Sequence, residues 1–136
     1  MDKVRHSPVG SALQRLGFAA LVVVSAWCPT AVSAKGPVDG MATVALVTLT
    51  TEARQTQRLI LSGGPFPHTK DGVVFGNFER RLPRRERGFY REYTVATPGS
   101  RDRGARRIVC GGRQPRMPDA CYYTADHYAS FKLIAQ

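Results

Sequence analysis

The sequence predicts an α+β domain in which one N-terminal helix packs on a small antiparallel β-sheet. Residues 50–62 carry apolar side chains at helical spacing and have start and stop signals at their two ends. Every later apolar run is strand-sized and bounded by glycine, proline or charge, with no helical pattern between runs. Strands that follow one another in this way pair antiparallel and leave one face for the helix.

Residues 1–34 read as an export signal and not as part of the fold. Lys3, Arg5 and Arg15 form a positive leading region, Leu16 to Trp27 an apolar run, and Val32-Ser33-Ala34 a small-residue cleavage site. The run is shorter than the roughly 20 apolar residues that span a bilayer, so no stable membrane anchor is expected and the protein reads as secreted. The remaining domain, residues 35–136, is about 100 residues long and supports one modest core.

Lys35 to Gly40 reads as a lead-in and Met41 to Leu49, rich in valine and threonine, as a short strand. Thr50 or Thr51 caps the helix, Glu52 lies in its first turn, and Ala53, Thr56, Leu59 and Ile60 form its inner stripe. Gly63-Gly64-Pro65 ends it. Strands are predicted at Val73-Val74-Phe75, Phe89 to Ala96, Ile108 to Cys110, Tyr122-Tyr123 and Tyr128 to Ile134.

Alternation along Phe89 to Ala96 places Tyr90, Glu92 and Thr94 on one face and Phe89, Tyr93 and Val95 on the other, so Glu92 projects from the polar, open side. Of the adjacent Arg106 and Arg107, only one can share that face, and alternation does not choose between them.

The chain has 20 basic and 10 acidic residues, a formal net charge of +10. Residues 35–136 keep 17 basic and 9 acidic ones, a net +8. An arginine surplus on so small a domain points to a polyanion, with nucleic acid the first candidate. The arginine-rich segment Glu79 to Arg87 reads either as a solvated loop or as an outer RNA contact. Cys28 leaves with the signal, and the two cysteines that remain, Cys110 and Cys121, are expected to pair in an exported domain.

Three segments carry the chemistry: Tyr90 to Val95, Arg101 to Arg107, and Asp126-His127-Tyr128. They bring a carboxylate, an arginine cluster and an imidazole, the set needed to move two protons around a phosphate that becomes more negative. Taken singly, these are ordinary residues: a solvated strand carboxylate, a salt-bridged arginine face, a loop histidine. Their surroundings change that reading.

With Gly64-Pro65-Phe66-Pro67, Asp71 to Phe75, Tyr90 to Val95, Thr97-Pro98-Gly99, Arg101 to Ile108 and Tyr122 to Ala129 in this order and spacing, the chain resembles the bacterial guanyl-specific ribonucleases, the ribonuclease Sa family, with barnase more distant. The resemblance runs from about Val44 to Gln136. It implies the microbial ribonuclease fold, with Glu92 as general base, His127 as general acid, and Arg103 and Arg107 as the phosphate-binding pair. It places base recognition on Phe75, Gly76, Asn77, Phe78 and Glu79, with Tyr128 as the aromatic after the acid.

RNA carries its own nucleophile, the 2′-hydroxyl, so this chemistry needs no metal or cofactor. DNA lacks that group. Glu79 is placed to accept two hydrogen bonds from guanine's N1–H and 2-amino groups, which adenine does not offer. Gly76 and Asn77 are types that tolerate a left-handed turn. The implied partners are RNA and an acidic inhibitor of the barstar kind, and the implied state is a monomer.

The chain departs from its family in two ways. No cysteine near Ala45 or at the C-terminus is available for the family's terminal disulfide, and Arg91 stands where a histidine is familiar. The rival reading is a secreted cationic RNA-binding, polyanion-binding or antimicrobial protein with weak or lost nuclease activity, supported by the arginine-rich segment.

Overall fold

The computed structural model describes residues 40–136. The export signal, Cys28 and most of the lead-in lie outside the described residues.

The helix forms where its end signals place it. The Thr50 hydroxyl accepts the Ala53 N–H at 3.3 Å, and helix α1 runs Thr51–Ser62 with Glu52 in its first turn. It closes at Gly63, whose φ of 84° is left-handed, with the N–H groups of Gly63 and Gly64 both donating to the Leu59 carbonyl. The buried stripe is Ala53, Thr56, Gln57 and Ile60. Gln57 takes the position that hydrophobicity assigned to Leu59, because its amide donates to Cys121 Sγ at 3.5 Å beneath the helix.

Six strands follow or precede α1: β1 (Thr43–Ala45), β2 (Val73–Val74), β3 (Tyr90–Thr94), β4 (Arg107–Gly111), β5 (Ala120–Thr124) and β6 (Lys132–Ala135). They make one sheet in the order β1-β6-β5-β4-β3-β2. The α+β architecture with its single helix is as predicted. One pairing differs: β1 runs parallel to β6, with Val44 opposite Ile134, so the sheet is mixed. The strand expected over Met41 to Leu49 is also short, because Leu46–Thr48 coils into a 3-10 turn in which the Thr48 hydroxyl donates to the Ala45 carbonyl at 2.8 Å. The last strand starts at Lys132 and not at Tyr128, since His127 and Tyr128 have φ values of 54° and 73° that no strand accommodates.

Side chains bury on both faces of the sheet. Ala53 and Ile60 of α1 pack with Leu49, Tyr93, Val95, Ile108, Ile134 and the cystine. On the opposite face Leu82, Tyr90, Val109, Tyr122 and Phe131 form a second cluster, roofed by the long loop between β2 and β3. The face that alternation marks as polar and open is therefore apolar and covered over half its length. Only its Glu92–Thr94 end is left for chemistry.

Cys110 and Cys121 are register partners on β4 and β5 and are joined by a disulfide with Cα atoms 4.1 Å apart. The bond closes a loop of sequence separation 11, which the chain-entropy model values at about 2–3 kcal/mol. Reduction should lower the melting temperature by roughly 10–20 °C for a domain of this size. Two titratable thiols in the native protein would contradict the pairing.

Candidate active site

Glu92 sits at the centre of β3, opposite Val73 on one side and Val109 on the other. Its carboxylate has two partners. Oε2 accepts the Tyr128 hydroxyl at 2.6 Å, and Oε1 lies 3.6 Å from the Arg103 guanidinium.

Arg103 is held from several directions. Its Nε and Nη2 both donate to the Thr94 hydroxyl, at 3.0 and 2.7 Å, and Nη2 lies 3.8 Å from Asp71 Oδ1. Asp71 itself is almost fully buried, with its side chain 1% exposed. It survives there because its two oxygens accept the N–H groups of Thr94 at 2.7 Å and His68 at 3.2 Å. Asp71 and Thr94 are the site residues that pattern reading missed. The signals were weak: an Asp-Gly turn and a threonine two positions from Glu92 on the same strand face.

The structure resolves the choice between the adjacent arginines. Arg107 is the residue on Glu92's face: it stands opposite Thr94 in the register, and its guanidinium lies 6.0 Å from the centre of the Tyr128 ring. Arg106 lies on the helix side, where hydrogen bonds from the backbone N–H of Glu52 and from Thr50 hold the Glu52 carboxyl below its ordinary range and Arg106 adds to the effect. Arg107 is buried, and its Nη1 donates to the carbonyls of Gly104 and Arg106 at 2.8 Å. Its Nε is buried with no partner among the described residues. A buried donor without an acceptor costs about 1–3 kcal/mol, so this group suits an anionic oxygen.

The loop that carries the arginines is shaped by Asp102, whose Oδ1 accepts the Ser100 hydroxyl and the Gly104 N–H, both at 2.7 Å. Gly104 has φ 63°, and a Cβ there would come within 2.5 Å of the Thr97 hydroxyl. Only glycine fits this turn.

His127 is exposed at the rim, in the left-handed region, with its N–H donating to the Ala105 carbonyl at 3.1 Å. Two consecutive left-handed, non-glycine residues are strained and persist only where neighbours hold them. Here the clamp is Asp126. It accepts the Thr124 hydroxyl at 2.8 Å, the Ser130 N–H at 2.9 Å and the Ser130 hydroxyl at 2.6 Å, while the Tyr128 N–H donates to Thr124 at 3.1 Å. The Tyr128 ring then lies 4.8 Å from that of His127 and stacks on Phe75 at 5.1 Å and 29°. Burial, then the bond to Glu92, pushes the Tyr128 phenol up to about 12, so it remains a donor at neutral pH.

Phe75 is thus joined to Tyr128, whereas Gly76, Asn77, Phe78 and Glu79 make no hydrogen bond or ring contact with Glu92, Arg103, Arg107 or His127. Asn77 does adopt a left-handed φ of 50°, and its side chain clamps Leu82 by bonding both its N–H and its carbonyl. Gly76 does not, and the exposed Phe78 ring lies over it. The second left-handed residue of the loop is Arg80. Phe78 and Glu79 are exposed, Glu79 pairing with Arg81 at 3.4 Å. Arg91 donates to the Gly72 carbonyl at 2.8 Å and takes no part in the Glu92 network. Among the described residues, no three His, Cys, Asp or Glu side chains gather as a metal-binding set.

The ribonuclease family model matches residues 33–135. Guanyl-specific ribonuclease Sa of Kitasatospora aureofaciens is 53% identical over 98 residues, covering 72% of this chain and 98% of the relative. Guanyl-specific ribonuclease St of Saccharopolyspora erythraea is 47% identical, covering 72% and 92%. A solved structure of ribonuclease Sa2 with guanosine-2′-cyclophosphate superposes with a TM-score of 0.63 at 45% identity, covering 70% of this chain and 96% of that one. The chain belongs to the ribonuclease family.

The clamp has a testable signature. The Ser130 hydroxyl, the Ser130 N–H and the Thr124 hydroxyl hold the Asp126 carboxyl down at about 2. A carboxyl depressed on folding stabilises the fold above its unfolded pKa of about 3.9, and that stabilisation is lost as pH falls through the folded value. Asp126→Asn should therefore lower the melting temperature at neutral pH, and its difference from the parent should shrink on acidification from about pH 4 to about pH 2. A difference independent of pH would show that the charge does not hold the turn.

Proposed function

We propose that this ribonuclease cleaves single-stranded RNA after guanosine, with Glu92 as general base, His127 as general acid, and Arg103 with Arg107 binding the phosphate. The observation that carries the reading is the convergence on one carboxylate of a guanidinium at 3.6 Å and a phenol at 2.6 Å, with a second, buried guanidinium and the exposed imidazole beside the same tyrosine. Guanosine specificity in relatives of about half identical sequence supports the choice of base, as does the guanosine nucleotide held by ribonuclease Sa2.

In the first step Glu92 removes the 2′-hydroxyl proton and the freed oxygen attacks phosphorus. His127 protonates the departing 5′-oxygen, leaving a 2′,3′-cyclic phosphate. The two arginines neutralise charge that grows on the phosphate oxygens, and the unpartnered Nε of Arg107 gains an acceptor. In the second step the roles reverse: His127 takes a proton from water, Glu92 returns one to the 2′-oxygen, and a 3′-phosphate results.

Guanine recognition falls to residues 75–79. Phe75 and Tyr128 supply aromatic faces, and the Glu79 carboxylate accepts from N1–H and the 2-amino group. Its ion pair with Arg81 is a surface pair that gives way at little cost. The leading residues 1–34 support secretion, and the arginine-lined site suits an acidic inhibitor as well as RNA.

Glu92→Gln and His127→Gln should each lower turnover by about 10²–10⁴ with the melting temperature retained. The parent rate should trace a bell against pH, because the base must begin deprotonated and the acid protonated. Near-normal turnover by folded Glu92→Gln would remove the assignment. Glu79→Ala should cut cleavage after guanosine far more than it weakens phosphate binding. An unchanged guanosine-over-adenosine ratio in dinucleotide cleavage would pass the reading of the base to backbone groups.

A further inference from the structure

A groove of about 730 Å³ opens beside the recognition loop, with Phe75 to Phe78 on one side and Arg84 to Gly88 on the other. Around Arg84 and Arg85 it adjoins a second depression, of about 680 Å³, that reaches Arg113 and Asp119. None of Glu92, Arg103, Arg107 and His127 lines either one.

Five arginines face these grooves: Arg80, Arg84, Arg85, Arg87 and Arg113. All are exposed, and none makes an ion pair among the described residues, where the ion pairs are those of Arg81 and Arg103. Glu86 and Asp119 are the carboxylates present, so the surface keeps a positive surplus.

The surface is also built. Asn77 ties the recognition loop to Leu82 through two hydrogen bonds, the Tyr90 hydroxyl donates to the Pro83 carbonyl at 2.7 Å, and the Arg85 guanidinium sits 5.4 Å over the Phe89 ring. Phe78 projects from the loop 95% exposed, its ring near Gly76 and otherwise open to solvent. A fixed basic groove beside a bare aromatic ring is what single-stranded nucleic acid needs: guanidinium groups for the backbone and a platform for an unpaired base. A membrane needs a broad apolar surface, and this groove offers one ring among charges.

We infer that this groove is an outer subsite that holds backbone phosphates of RNA beyond the guanosine being cleaved. The inference rests on the ribonuclease reading above. On this inference long RNA binds more tightly than a dinucleotide, which is too short to reach the groove's arginines.

The test uses Arg84→Gln/Arg87→Gln/Arg113→Gln, which leaves Arg85 on Phe89. Binding of a short single-stranded oligoribonucleotide whose one guanosine is 2′-deoxy, and so uncleavable, is followed by fluorescence anisotropy against salt. Each phosphate contact on a single strand contributes about 0.7 to the log–log slope, so the triple variant should lose about 2 from it. KM for long RNA should rise about tenfold at moderate salt while cleavage of guanylyl-cytidine stays at the parent rate. If the triple variant does not fold, Arg87→Gln and Arg113→Gln alone should each remove about 0.7.

An unchanged slope and KM would overturn the inference. So would loss of binding to phosphatidylglycerol vesicles with oligonucleotide binding intact. A parent protein that binds the oligonucleotide but leaves guanylyl-cytidine uncut would instead defeat the catalytic reading, and the slope comparison would still decide the groove.

Discussion

One guanidinium between two carboxylates organises this domain. Arg103 lies 3.8 Å from Asp71 and 3.6 Å from Glu92 and gives two hydrogen bonds to Thr94. Asp71 is buried, and a buried carboxylate without a cationic neighbour is costly, so Arg103 cannot be spared even before substrate arrives. Its other ion-pair partner is the base of the proposed reaction. The same guanidinium that pairs with the enclosed Asp71 carboxylate therefore places Glu92 beside a charge that suits phosphate.

The surrounding elements serve that arrangement. The hydroxyl of Thr56 on α1 donates to the Thr94 carbonyl at 3.1 Å, fixing the helix to the strand end that carries Arg103's acceptor. The Gly72 N–H donates to the Glu92 carbonyl at 2.8 Å, setting the edge strand in register. The disulfide pins β4 to β5, so the strand that begins with Arg107 and the strand that ends at the turn carrying His127 move together. The strained turn at His127 and Tyr128 is held from both sides, by Asp126 below and by the Ala105 carbonyl across from it.

What the sequence made legible follows from how local each signal is. The helix was readable to within a residue, with Thr50 and Thr51 both open as caps, because Thr50, Glu52 and Gly63 act within one turn of their own positions. The strand cores at Val73, Glu92, Ile108 and Tyr122 were readable from short apolar runs. The parallel pairing of β1 with β6 was not, since it joins Val44 to Ile134 across nearly the whole domain. Gln57 took a core position through a single bond to Cys121, which hydrophobicity does not register. The start of β6 was misplaced because Tyr128 looks like a strand residue until Asp126 is seen to bind Ser130 and force a turn. Asp71 went unassigned because an Asp-Gly pair reads as a turn, and its contact with Arg103 spans three separate segments.

In the proposed reaction these groups cleave RNA through its own 2′-hydroxyl. Phosphorus NMR of guanylyl-cytidine during incubation with the protein tests this directly. The phosphodiester signal should give way first to a 2′,3′-cyclic phosphate and only later to a guanosine 3′-phosphate. A product bearing a 5′-phosphate, or a 3′-phosphate formed with no cyclic species before it, would contradict the mechanism.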